Sequence, residues 1–219
     1  METTDFQLKL ETFGAKVHEV YDPLVGQGGA AENVDYYVFQ TTPREEPELL
    51  VMGIIPGGDG KNGVQSATGS ADTNYNAYFD SDHQWFKTLR RIFGTPMLTQ
   101  QLRNCVGTNS SFLNTGNAQK LPKSKEFRRN AVQLARKLVD NVIHPKHIVA
   151  LGVDVFNMLQ PKDVKVKAFG NVQFRYGHRN DMLVGLVYNP SRRNANRFFT
   201  EKQLGDWQKA LEWFMTEAK

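Results

Sequence analysis

Two loops hold most of the side chains in this sequence that could do chemistry. The first, Gly53-Ile54-Ile55-Pro56-Gly57-Gly58-Asp59-Gly60-Lys61-Asn62, follows an apolar run. Its glycines would let backbone approach a ligand closely and expose N–H groups to it, although a tight turn after a strand selects glycine as well. It is not a phosphate-binding P-loop. Setting Gly60-Lys61 on the G-x-x-x-x-G-K-[ST] pattern puts Ile55 where the first glycine belongs and Asn62 where a Mg²⁺-binding hydroxyl belongs, which argues against nucleotide hydrolysis. The second loop, Asn189-Pro190-Ser191-Arg192-Arg193-Asn194, joins two amides, a hydroxyl and two guanidinium groups. An amide can donate to developing negative charge, and hydroxyl and guanidinium groups suit phosphate oxygens, though both arginines could simply be solvated.

Metal chemistry has little support. His83, His144, His147 and His178 lack metal-ligand spacing, and one cysteine, Cys105, is too few for a disulfide, a structural zinc site or an iron–sulfur cluster. No cofactor is expected. With Lys+Arg 27 against Asp+Glu 23 the net charge is +4, and the basic residues gather in Lys120/Lys123/Lys125/Arg128/Arg129, Arg175/His178/Arg179 and Arg192/Arg193/Arg197. Such clusters form a polyanion footprint if the fold brings them together, and solvated helix faces if it does not.

The elements that must position these loops can be read from periodicity. The 219 residues suit one globular domain spanning 1–219, and a mean hydropathy of −0.50 with no long apolar run excludes a membrane span. The start, Met1-Glu2-Thr3-Thr4-Asp5, carries no secretion signal, so a cytoplasmic monomer is expected. Phe6, Leu10, Phe13, Val17 and Val20 predict a first helix. Val34–Phe39 reads as a short strand. Leu49–Ile55 and His147–Gly152 are continuous apolar runs of the kind buried on both faces of a sheet, and Ser110–Asn114 resembles the end of another. Ser81-Asp82-His83-Gln84 and Thr200-Glu201-Lys202-Gln203 have capping-box form, each ahead of an apolar stripe. A further helix is predicted from about Ser124 to Val142, and a short one after Gly152. Val164–Phe169 and Val172–Tyr176 flank Gly170-Asn171 as a hairpin, and Met182–Tyr188 is a last strand. Buried strands alternating with amphipathic helices predict a three-layer α/β/α fold on a mostly parallel sheet, with working residues beyond the strand C-termini.

Taken together, the loops and strands resemble a known family. Gly53-Ile54-Ile55-Pro56-Gly57 is similar to the G-x-N-P-G motif of the uracil-DNA glycosylase superfamily, and Asn189-Pro190-Ser191-Arg192-Arg193-Asn194 to its H-P-S-P-R-N or N-P-S-G-L motif. Phe112-Leu113-Asn114 looks like the family's strand-end asparagine, and His147–Gly152 like its I-x-A-L-G strand. The resemblance covers roughly residues 45–200 and is closest to the single-strand-selective monofunctional and mismatch-specific branches.

The resemblance implies a uracil-DNA glycosylase-like fold and a monofunctional DNA glycosylase that flips a uracil-like or modified pyrimidine out of DNA and hydrolyses its N-glycosidic bond. Gly53, Ile54, Ile55, Pro56 and Gly57 would line the pocket. Asn114 would read the base edge, or else be a turn asparagine; Phe79 would stack on the base, with Tyr75 and Tyr78 as substitutes, or else be an ordinary core aromatic. Asn189 would stabilise the departing base. Ile55 occupies the position of the family's water-holding Asn or Asp, so Asp59, then Asp72, is the candidate for that task, although a loop-capping aspartate is the more ordinary role of each. Ser191 would bond a phosphate and Arg193 would wedge into the vacated gap, with Arg192, Asn194, Lys120 and Lys123 gripping DNA. Two alternatives stand beside this enzyme: a catalytically silent DNA reader, which Ile55 motivates, and an unrelated α/β enzyme acting on a small phosphorylated ligand.

Overall fold

The computed structural model describes residues 4–24, 35–55, 76–114, 119 and 121–218. Pro56, Gly57, Asp59, Asp72, Tyr75 and Lys120, all named above, lie outside them. The described strands are β1 (Asp35–Tyr36), β2 (Leu49–Gly53), β3 (Val106–Asn109), β4 (Leu113–Asn114), β5 (His147–Leu151), β6 (Lys162–Phe169), β7 (Val172–Arg179) and β8 (Met182–Val187). The helices are α1 (Asp5–Tyr21), α2 (Ala77–Asp80), α3 (Gln84–Ile92), α4 (Pro96–Asn104), α5 (Lys125–Lys137), α6 (Val153–Leu159), α7 (Arg192–Phe198) and α8 (Glu201–Thr216).

Six strands form the central sheet in the order β3-β2-β5-β8-β7-β6. The first four are parallel, and β7 and β6 add an antiparallel wing. The protein is therefore an α/β protein with a mostly parallel sheet covered on both faces. The apolar run of β2 shows why it had to be buried on both sides. Leu50 and Met52 point into one core layer with Phe13, Val17, Leu134 and Ile148, while Leu49 and Val51 point into the other with Leu89, Leu98, Leu211 and Phe214. Each such side chain removed from water contributes on the order of 1.5–3 kcal/mol. Helices α1, α5 and α6 cover the first face, and α2, α3, α4 and α8 the second.

The β6–β7 hairpin turns at Gly170-Asn171, as its sequence predicts. Edge strand β6 is exposed along nearly its whole length, and Lys162, Lys165 and Lys167 make it a poor template for further pairing. Helix α1 coincides with the predicted stripe. Elsewhere the structure departs from the periodicity. Helix α5 stops at Lys137 and continues as a wider π turn, Leu138–Ile143, which buries Leu138, Val139, Val142 and Ile143. Helix α4, which the sequence reading passed over because Gly94 and Pro96 look like a stop, starts at Pro96 with Thr95 as its cap. The cap of α3 is His83, whose Nδ1 accepts from the Trp85 N–H at 3.2 Å, rather than Ser81. Of the predicted Val34–Phe39 strand, Val34 lies outside the described residues and Asp35–Tyr36 is regular; beyond it the chain runs irregularly beside β3, held by Gln40 N–H to Gly107 O at 2.8 Å and Thr108 Oγ1 to Val38 O at 2.6 Å.

Candidate functional site at the strand C-termini

The four parallel strands end together. Gly53 of β2 is in register with Asn109 of β3, Met52 with Ala150 of β5, and Leu151 of β5 with Val187 of β8. The chain leaves this edge through Ile54-Ile55, Ser110-Ser111, Gly152 and Tyr188-Asn189, so both motif loops begin side by side.

The β2–β3 half is tightly stapled. Ser110 N–H donates to Gly53 O at 2.8 Å, Ser111 N–H to Ile54 O at 2.9 Å, and Ser110 Oγ–H to Ile54 O at 3.0 Å. These bonds pull β3 out of its ladder after Asn109. They also place the Asn109 carboxamide against Gly53, so close that a Cβ at position 53 would sit 2.6 Å from Asn109 Oδ1. Gly53 is thus required for the approach. The Asn109 side chain is 1% exposed, and its Nδ2 finds no partner among the described residues. A buried amide donor without a partner costs on the order of 1–3 kcal/mol.

The β5–β8 half is built around Gly152, with φ +120 and ψ 154, a conformation essentially reserved for glycine. A side chain there would lie 3.8 Å from Asn189 Cβ and 3.9 Å from Ile54 Cδ1, so the gap beside Gly152 is bordered by one residue from each motif. After Asn189 the chain turns sharply: Ser191 N–H donates to Asn189 O at 2.8 Å and to Asn189 Oδ1 at 3.1 Å. Asn194 closes the turn by donating from Nδ2 to Asn189 O at 2.9 Å. Ser191 caps α7 by accepting from Asn194 N–H at 3.4 Å, which leaves its hydroxyl hydrogen free to donate. The segment read as a loop is therefore a loop of three residues followed by a helix. Arg192 and Arg193 open α7, exposed and without an ion pair among the described residues.

A residue that sequence reasoning passed over completes this half. The Trp85 indole N–H donates to Asn189 Oδ1 at 3.0 Å, joining α3 to the Asn189 loop. Helices α3, α6 and α7 all begin at this edge, so their N-terminal dipoles make it favourable to negative charge.

Asn114 and Phe79 are not among these contacts. Asn114 belongs to β4, whose partner is β1 in a separate two-stranded ladder, with Asn114 opposite Asp35. The residue beside Gly53 is Asn109; after the break at Ser110 the chain runs on as β4 along the same segment that borders β3, with Phe39 opposite Thr108 and Tyr36 opposite Leu113. Phe79, in α2, packs against the second core layer with the Arg103 guanidinium 4.1 Å from its ring centroid. Arg103 ends α4 just before β3 begins, so the half-buried Phe79 ring packs toward the start of β3. Gly53, Ile54, Ile55, Asn189, Ser191, Arg192, Arg193 and Asn194 do share the strand-end edge, with Asn194 turned into its own loop. Lys123 is exposed ahead of α5. Asn109 had one visible signal, a polar residue closing the short run Val106-Gly107-Thr108-Asn109. Trp85 had none beyond its place in the α3 stripe.

The fold and this edge define an α/β/α protein with polar side chains gathered at the C-terminal ends of its parallel strands. The sequence matches no protein-family model and no curated protein. Among the described residues no helix is long and apolar enough to cross a membrane, and no group of three His, Cys, Asp or Glu side chains is arranged to hold a metal ion.

Proposed function

We propose that the protein is a monofunctional DNA glycosylase that hydrolyses the N-glycosidic bond of a flipped-out uracil-like or modified pyrimidine. The observation that carries this reading is the meeting of Gly53, Asn109, Gly152 and Asn189 at one strand-end edge, with a basic helix start beside them. The motif resemblance supplies the reaction class, and the geometry supplies groups able to do its parts. A pyrimidine edge carries carbonyl oxygens and ring nitrogens, and the unpaired Asn109 carboxamide is suited to hydrogen-bond them. Gly152, in a backbone conformation essentially reserved for glycine, brings Ile54 and Asn189 together with no side chain of its own between them.

In the reaction the oxygen of water bonds to the sugar C1′ while the C1′–N bond breaks, its electron pair leaving on the base; the water proton ends on the released base. The transition state is cationic at the sugar and anionic at the base, so a hydrogen-bond donor aimed at the base and the DNA phosphates near the sugar carry the stabilisation. Asn189 Nδ2 is that donor in this reading. Ser191 and Arg192 grip phosphates, and Arg193 fills the space the base vacates. Ile55 can neither hold nor activate water, which assigns that task to Asp59 with Asp72 as its substitute. Lys120 and Lys123 extend the DNA grip, and no cofactor is needed.

Ile55 also favours a second reading, in which the same edge recognises a modified base without cleaving it. One experiment separates the two: mass spectrometry of bases released from oligonucleotides carrying uracil or other modified pyrimidines in single and double strands. Free base with an abasic site left behind establishes the enzyme. Binding of a modified-base oligonucleotide with no base released from any substrate establishes the reader, and absence of binding rejects both.

A further inference from the structure

We propose that Trp85 is a positioning residue: its indole N–H locks the Asn189 carboxamide so that only Nδ2 is left to face a ligand, which restricts the ligand group at that point to a hydrogen-bond acceptor. This rests on the reading of Asn189 as the group that meets the departing base.

The argument starts from the amide. Its oxygen and nitrogen are nearly equivalent in shape, so only the hydrogen-bonding partners decide which way it faces. Asn189 Oδ1 receives two donors, Trp85 Nε1–H at 3.0 Å and Ser191 N–H at 3.1 Å. Neither donor can accept. Reversing the amide would set its NH₂ against both, losing two bonds and adding repulsion, so the orientation is fixed by chemistry. Both common acceptor directions of Oδ1 are then occupied. Nδ2 has no acceptor among the described residues and can only donate. A carbonyl oxygen or a deprotonated ring nitrogen satisfies it, and an amino group does not.

Trp85 is itself well held. It is the second residue of α3; its backbone N–H donates to His83 Nδ1 at 3.2 Å, and its half-buried ring stands edge-on to Phe86 with centroids 5.0 Å apart. Ser191 N–H alone, on the same short loop as Asn189, would move with it. Trp85 ties the amide to a helix of the core layer, and a rigid supporting bond of this kind is what keeps a polar group aimed.

The test is a double-substitution cycle of Trp85→Phe, which keeps an aromatic ring and removes the donor, with Asn189→Ala. On single-stranded DNA carrying one uracil, or whichever pyrimidine the protein releases, Trp85→Phe is expected to lower kcat about tenfold with KM little changed, the worth of one aligned hydrogen bond. In the Asn189→Ala background the same change should cost nothing further. Equal losses in both backgrounds, or an undiminished kcat, would overturn the proposal. Indole hydrogen exchange adds a readout without turnover: the Trp85 Nε1–H should exchange slowly in the native protein and faster in Asn189→Ala, and equal rates would also count against it. Should the native protein release no base, the glycosylase reading falls, and the cycle is read on affinity for the same oligonucleotide. A loss in Trp85→Phe that vanishes in the Asn189→Ala background then supports the positioning role, and an unchanged affinity overturns it.

Discussion

The two ends of the parallel strands treat polar groups in opposite ways. Where the strands start, donors and acceptors are matched. Thr41 Oγ1 donates to Cys105 O at 3.0 Å and accepts from Gly107 N–H at 2.9 Å; Arg179 grips Asp140 through Nε at 2.8 Å and Nη2 at 2.5 Å and also donates to Leu159 O; Glu48 holds Lys146 at 2.8 Å. Where the strands end, Asn109 and Asn189 each keep an amide donor with no partner among the described residues, and Arg192 and Arg193 stand unpaired beside them. Of these only the Asn109 amide is buried, and since a buried unsatisfied donor opposes folding, a fold built only for stability would pair it. The strand ends thus hold the free donors that the proposed function would use.

Substitutions at the two ends should therefore separate activity from stability. The largest effect on chemistry is expected from Asn189→Ala: base release should fall about 10²–10³-fold, as when a donor to developing charge is removed, while thermal unfolding shifts only modestly. Asn109→Ala should likewise abolish discrimination of the base, yet leave the melting temperature near or above the native value because an unpaired buried donor is gone. A sharp drop in melting temperature would show that Asn109 serves the fold. At the other end, Asp140→Ala strands the mostly buried Arg179 and should destabilise by about 3 kcal/mol in denaturant unfolding, with base release per folded molecule unchanged.

Gly152→Ala tests the join between the halves. Its φ of +120 makes alanine cost roughly 1–3 kcal/mol, and the added methyl narrows the gap between Ile54 and Asn189, so stability and base release should fall together. For Arg192→Ala the expected change is smaller: the slope of log affinity for DNA against log salt should drop by about one, as for the loss of one phosphate contact. The smallest effect concerns pH. Burial beside Phe214 holds the His147 imidazole below its ordinary value, against the opposing pull of Glu48. The folded state thus prefers the neutral ring; the stability this gives is present above a pH of about 6.5 and is lost as the pH falls below it. Replacing His147 by Gln should flatten that acid-side decline in melting temperature.

Much of the framework was legible in the sequence because it depends on local periodicity. The stripe from Phe6 to Val20, the apolar runs at Leu49 and His147 and the Gly170-Asn171 turn each announce an element whose burial leaves few alternatives, and their alternation leads to a mostly parallel, twice-covered sheet. The candidate site was legible only in part. Its two motif loops could be found because strand ends are marked by Gly, Asn and Pro. Which asparagine stands beside Gly53 could not. Val106–Asn109 and Ser110–Asn114 are both short, mixed runs, and the choice between them is made by Ser110 and Ser111 bonding to Gly53 and Ile54, contacts distant in sequence.

The sequence by itself determined the layers, the strands and the chemical types available at their ends, since hydrophobic burial and turn preferences are written residue by residue. Only the tertiary structure decided that Asn109 meets Gly53, that Phe79 packs beside Arg103 against the second core layer, and that Trp85 reaches Asn189. Those are matters of direction and distance between side chains far apart in the chain, and they exist only once the layers have packed.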